Sequence, residues 1–190
     1  MPHDAFRATG RVLENEFFAK RDAAKLAALK KEIATRAERQ GLAEVTGIPD
    51  EGVLQRLVEV GVTAETLAAL ALVPLVLVAW ADGELDPKER AAVLEAAVAH
   101  DIDQGGAAYE LLTTWLSAAP EPALGKAWHE YAVAFREVLP KEVVVALHDW
   151  VMTRAKSVAA ATGGFLGLGS KISGREQRVL DELEEAFKRD

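Results

Sequence analysis

Asp82, Glu84, Asp86 and Glu89 place four carboxylates within eight residues, three of them at alternate positions. They lie in Ala81-Asp82-Gly83-Glu84-Leu85-Asp86-Pro87-Lys88-Glu89, which follows an apolar run (67–81) and leads into an amphipathic segment. The cluster is therefore either an acidic helix–loop–helix joint or a cation site. Ligands that are all oxygen would favour Ca²⁺ or Mg²⁺ over zinc. The spacing is not that of an EF-hand. With Asp82 in first place, Pro87 falls where glycine is needed and Val93 where a bidentate glutamate is needed.

Helix punctuation accounts for half of the cluster. Asp86 is a good N-cap, Pro87 suits the first helical position, and Glu89 can reach back to the cap as in a capping box. Gly83 fits the left-handed position after a helix end. Asp82 and Glu84 are not explained this way. A helix running to about residue 81 would put Asp82 against the negative end of its dipole. A bound cation, a basic neighbour or solvent would have to offset that charge.

The remaining chemistry-bearing residues do not assemble into a reaction centre, so a non-enzymatic protein is expected. The chain has no cysteine, which excludes disulfides, thiolate metal sites and cysteine nucleophiles. No His-x₃-His or His-Glu-x-x-His occurs. His148 shares a face with Val144 and Val151 and reads as a core or boundary histidine; His129 lacks a second ligand at i+4. Gly164-x₄-Gly169-Ser170-Lys171 has the wrong residue order for a phosphate loop and follows an alanine-rich helix rather than a strand. Its Phe165, Leu166 and Leu168 either tuck into the core or form an exposed apolar contact. Trp80, Trp115, Trp128 and Trp150 read as core and boundary packing.

These residues must be positioned by helices. Half of the 190 residues are apolar and no sustained period-2 alternation occurs, so the expected class is all-α, a compact bundle of about seven to nine helices. A long basic helix is expected over 10–40, with Val12, Phe17, Phe18, Leu26, Leu29 and Ile33 against Lys20, Arg21, Lys25, Lys30 and Lys31. Gly41 should close it, with a short helix over 42–46 behind it. Asp50 opens the next helix, which Gly61 stops. Thr63 caps an apolar helix that runs to about residue 81, is kinked at Pro74 and is surrounded by other helices. Amphipathic helices follow over about 87–100 (burying Val93, Leu94, Ala97 and Val98), 107–117, 124–139 (Trp128, Tyr131, Phe135, Val138), 140–161 (Val144, Leu147, Val151, Val158) and 174–188.

The net charge of −8 is uneven. Residues 1–50 carry 9 Lys/Arg against 8 Asp/Glu, and residues 51–190 carry 13 against 22. The acidic body should repel nucleic acid and suit cations or basic partners. Residues 42–57 fit helix-turn-helix spacing at Ala43, Gly47 and Val53, yet the would-be recognition helix opens on Asp50-Glu51, which phosphates repel. DNA binding through 42–60 is thus the weakest alternative. The longest uncharged run, 66–81, contains Pro74 and falls short of the roughly 20 residues of a spanning helix. Met1-Pro2-His3-Asp4 lacks the pattern of a signal peptide, so a cytoplasmic protein is expected, with peripheral membrane association through the basic helix left open.

The joint resembles the hallmark of the TerB-like family, named for tellurite resistance: an apolar helix running into Ala-Asp-Gly-x-φ-x-x-x-Glu (φ apolar) and then an amphipathic helix. Here that motif is Ala81-Asp82-Gly83-Glu84-Leu85-Asp86-Pro87-Lys88-Glu89. A degenerate second copy, Lys171-Ile172-Ser173-Gly174-Arg175-Glu176, matches residues 84–89 and carries its own Ser-x-x-Glu capping box. The resemblance covers roughly 62–190. It implies an all-helical domain of two related halves, a stress-response role, and divalent-metal binding where the acidic residues of the two joints meet. Carried over by position, the metal residues are Asp82 and Glu89 with Glu176; Glu84 and Asp86 complete the candidate set. The second copy lacks Asp-Gly, which removes one expected carboxylate. Residues 1–60 form a separate N-terminal helical segment before the 61–190 domain. Phe6-Arg7, Leu13-Glu14 and Phe17-Phe18 bear a faint similarity to the start of the ATPase-inhibitor zeta subunit, which implies an interaction segment. The expected function is a TerB-like module that binds a divalent cation, a protein partner, or both. The alternative is a pure interaction scaffold that uses the basic helix.

Overall fold

The computed structural model describes the backbone of residues 3–161 and 172–188, with side chains from residue 24 onward. The described residues form eight α-helices and one 3-10 helix, with no strand. The glycine-rich stretch with Phe165, Leu166 and Leu168, and the side chains of Val12, Phe17, Phe18, Lys20 and Arg21, lie outside them. By backbone contacts the chain divides into one unit over Met1–Glu38 and a second over Arg39–Asp190.

Helix α1 spans His3–Thr46. It was expected to stop at Gly41 but continues for one more turn. Continuation buries Leu42 completely, and that outweighs the modest helix penalty of one glycine. The stop comes at Gly47, whose φ of +70° only glycine adopts without strain. Helix α2 (Glu51–Glu59) begins as expected, with Asp50 accepting from the amides of Gly52 and Val53 at 2.8 and 3.0 Å. Its buried Val53, Leu54 and Leu57 face the core, and Arg56 forms an ion pair with Glu130. The helix-turn-helix spacing is thus accounted for by packing.

The apolar run departs from expectation. Thr63 and Thr66 trade amide-to-hydroxyl hydrogen bonds at 2.8 and 3.3 Å, and a 3-10 helix follows over Leu67–Leu72. Helix α3 (Val73–Ala79) then starts afresh with Pro74 in its first turn. Proline costs nothing there because that amide has no helical acceptor, so the one kinked helix expected is instead a 3-10 helix followed by an α-helix. Val73 to Val76, Val78 and Ala79 are all buried. The surrounding elements are α4 (Pro87–Ala99), α6 (Pro122–Val138), α7 (Lys141–Ala159) and α8 (Gly174–Phe187), with the 3-10 helix alongside. Helix α5 (Ala107–Trp115) packs on the 3-10 helix, and Trp80 Nε1 donates to the Trp115 carbonyl at 3.2 Å.

Of the expected core residues, Val93, Ala97, Trp128, Val144, Val151 and Val158 are buried, and Leu94, Tyr131, Phe135 and Leu147 are half-buried. Val98 and Val138 are exposed, at 48% and 42%. Ala96 and Ala97 beside Val98 are buried, so the last turn of α4 is covered and Val98 lies on its outer face. Among the described residues no helix is long and apolar enough to cross a membrane.

Candidate functional site

The first joint follows α3. The helix ends at Ala79, two residues earlier than expected, and Trp80 is its C-cap. Asp82 therefore lies three residues past the last helical residue, inside the turn rather than on the dipole. Gly83 takes φ +96°, the left-handed conformation anticipated for it. Asp82 Oδ1 accepts the Glu84 amide at 3.0 Å, an Asx turn that stiffens the loop. Asp86 Oδ1 accepts the Lys88 amide at 2.7 Å, and Glu89 Oε2 accepts the Asp86 amide at 3.2 Å. The capping box is complete. Glu89 is 5% exposed, which is rare for a glutamate and reflects its inward reach to the cap.

The second joint repeats the device. Ser173 Oγ accepts the Glu176 amide at 3.2 Å, and Glu176 Oε2 accepts the Ser173 amide. Glu176 is 6% exposed. Its negative charge sits in the first turn of α8, where the dipole favours it. Two stretches far apart in the sequence thus share one geometry, an N3 glutamate turned inward to close its own N-cap.

The two joints meet. Arg175 Nη1 donates to the Asp82 backbone carbonyl at 2.8 Å across 93 residues of sequence. Both residues are exposed. The guanidinium is bonded to the Asp82 main chain, and the exposed Asp82 carboxylate is open to solvent. In the sequence, the signal for Arg175 is its place directly before the capping Glu176.

Among the described residues no three His, Asp or Glu side chains come together in a way that could hold a metal. Asp82, Asp86, Glu89 and Glu176 each have an oxygen engaged by a backbone amide, and Glu84 is exposed. Arg175 brings positive charge to the place where the joints approach. The carboxylates are arranged as helix caps and a turn staple.

Trp128 is buried and Tyr131 and Phe135 are half-buried, and all three line an open pocket of about 200 Å³ between α6, α7 and α8. Helical periodicity shows which face turns inward but not whether the facing side chains fill the space. No family model, curated protein or solved structure matches the chain.

Proposed function

We propose that this protein is a non-enzymatic interaction module of TerB-like build that docks a protein partner through α1. The observation that carries this reading is an exposed apolar stripe. Leu26, Leu29 and Ile33 stand 53%, 52% and 60% exposed on one helix face. At about 100° per residue, Lys30 flanks the stripe on one side and Lys25 and Arg36 on the other.

An i, i+3, i+7 stripe this narrow matches the seam of a helix pair rather than the broad face of a membrane-surface helix. Cations on both flanks disfavour a second copy of α1 and favour a partner helix bordered by carboxylates. Full burial of a leucine or isoleucine is worth about 1.5–3 kcal/mol. Roughly half of that surface is still open here, so each residue contributes about 1 kcal/mol on docking, and the three together about a hundredfold in affinity.

The test is affinity capture with the wild-type chain and with the Leu26→Ser/Leu29→Ser/Ile33→Ser variant, followed by titration of the captured protein in purified form. Loss of about a hundredfold in affinity supports the reading, as does weakening by salt. Equal capture by both chains sinks it. Binding of the wild type to anionic vesicles, lost in the variant, would replace the protein partner with a membrane surface.

Divalent-cation binding at Asp82, Glu84, Asp86, Glu89 and Glu176 is the second reading. It is supported by the meeting of the two joints at Arg175 and Asp82. The engagement of the carboxylates by backbone amides argues against it. Calorimetric titration with Ca²⁺ and Mg²⁺ decides between the two, and binding heat abolished by Asp82→Asn would restore the metal site.

A further inference from the structure

An open groove of about 280 Å³ runs where α7 meets the end of α8. Its floor is the buried Val144, with the half-buried rings of His148 and Phe187 meeting edge to face at 5.3 Å. Val145 stands at its rim, 49% exposed. One exposed valine is ordinary on a protein surface. This one extends the apolar floor outward into a strip that a helix face could cover.

Carboxylates border the strip. Glu142 and Asp149 lie at i−3 and i+4 from Val145 and so neighbour it on the surface of α7. Across the groove Glu184 lines the wall, and Asp181 precedes it by one turn on α8. All four are exposed. The cations nearby are Lys141, the first residue of α7, and Lys188, which pairs with Glu185. His148 Nδ1 is bonded to Asp149 at 3.0 Å.

The stripe on α1 is the complement of this groove. Leu26, Leu29 and Ile33 are each more than half exposed, with Lys25, Lys30 and Arg36 on the flanks. Residues 24–39 carry five Lys/Arg against two Asp/Glu, whereas α8 carries two against five. Opposed charge of this kind selects the partner and its register. Two α1 stripes would repel each other, but a second copy of the chain also presents the acid-bordered groove, at the same concentration as the stripe.

We propose that the protein self-associates head to tail, the α1 stripe of one copy seated along the α7–α8 groove of the next. The cationic flanks then face Glu142, Asp149 and Glu184. This proposal rests on the reading of α1 as a docking helix and names its partner. The two contacting surfaces differ, so each contact leaves one stripe and one groove free to add a further copy or to close a ring.

The test is sedimentation velocity of the full chain at low ionic strength over about two decades of concentration. The mean sedimentation coefficient of the wild type should rise with concentration, and a rise in salt from about 0.05 to 0.5 M should weaken association about tenfold. Leu26→Ser/Leu29→Ser/Ile33→Ser should stay monomeric, and so should the groove variant Val145→Lys/Glu184→Lys. An equimolar mixture of the two should form a dimer and nothing larger, because the intact groove of the first accepts the intact stripe of the second. Glu142→Lys/Asp149→Lys reverses the other bank, replaces only exposed residues, and should also abolish association; it guards against a groove variant that fails to fold. A wild type that is monomeric at every concentration overturns the proposal, while the docking role of α1 survives if the stripe still captures another protein. Association unchanged in the stripe variant overturns both. Association unchanged in the two groove variants overturns the groove, and a mixture that stays monomeric overturns the head-to-tail pairing.

Discussion

Replacing Glu176 separates a capping role from a ligand role. The carboxylate is 6% exposed, and one oxygen accepts the Ser173 amide while the Glu176 amide returns a bond to Ser173 Oγ. Glutamine preserves the shape and the accepting oxygen. It removes only the charge in the first turn of α8, worth about 0.3–1 kcal/mol. Alanine loses that charge, the reach-back bond (about 0.5–1.5 kcal/mol) and a buried methylene (about 0.8 kcal/mol). The expected costs are thus about 0.5 kcal/mol for Glu176→Gln and about 2–3 kcal/mol for Glu176→Ala.

For a chain of 190 residues, each kcal/mol lowers the melting temperature by about 2–4 °C. Differential scanning calorimetry without divalent ions should therefore show glutamine melting about 1–2 °C below wild type and alanine about 5–10 °C below. Repeating the scans with Ca²⁺ or Mg²⁺ should change none of the three. The capping argument is refuted if glutamine is as damaging as alanine. It is also refuted if either ion stabilises the wild type and the glutamine variant does not respond. Glutamine keeps the geometry of a cap but is a far poorer ligand than a carboxylate.

Further perturbations probe neighbouring parts of the argument. Arg175→Met removes the bond to the Asp82 carbonyl; because both residues are exposed, urea denaturation should show a loss of at most about 1 kcal/mol, and a loss above about 2 kcal/mol would mean that Arg175 supports more than this contact. Gly83→Ala meets no atom within 4 Å but is held at φ +96°, so about 1 kcal/mol of pure backbone strain is expected, and an unchanged melting temperature would contradict the turn geometry. In an alkaline ultraviolet titration, the tyrosinate signal that Tyr131→Phe abolishes should emerge only well above the ordinary tyrosine range. The sign follows from the raised folded-state value: stability from this group is intact below the unfolded phenol's pKa of 10.0 and is lost as pH rises above it. Ionisation of Tyr131 in the ordinary range, with the fold intact, would show that the phenol is not desolvated.

Local rules were the most legible part of this chain. Asp50, Asp86 and Ser173 were identifiable as caps because capping depends on residues three apart and on little else. Gly83 was identifiable because few residues tolerate its φ. The errors lay where burial overrode a local signal or where a partner is distant in sequence. Gly41 looked like a stop, yet Leu42 beyond it fits the core so well that the helix continues to Thr46. Pro74 looked like a kink, yet the 3-10 geometry before it turned the same residue into a helix start. Arg175 reaches a carbonyl 93 residues away. No spacing rule predicts that contact, which depends on how α8 packs beside α3.

That packing changes what the acidic joint means. Four carboxylates in eight residues suggested excess negative charge awaiting a cation. Three of those residues instead compensate for what a helix lacks at its start or a turn lacks in its loop. Asp82 staples the turn, while Asp86 and Glu89 close the first turn of α4. Ser173 and Glu176 do the same for α8, where serine stands in for aspartate and forms the same box. A shared ligand set would require the second joint to match the first in charge, and Ser173 breaks that match. A shared capping geometry requires only an acceptor at N-cap and a glutamate at N3, and both joints satisfy it. Capping alone therefore accounts for the repeat as two helices punctuated alike, with Arg175 bonding one joint to the other.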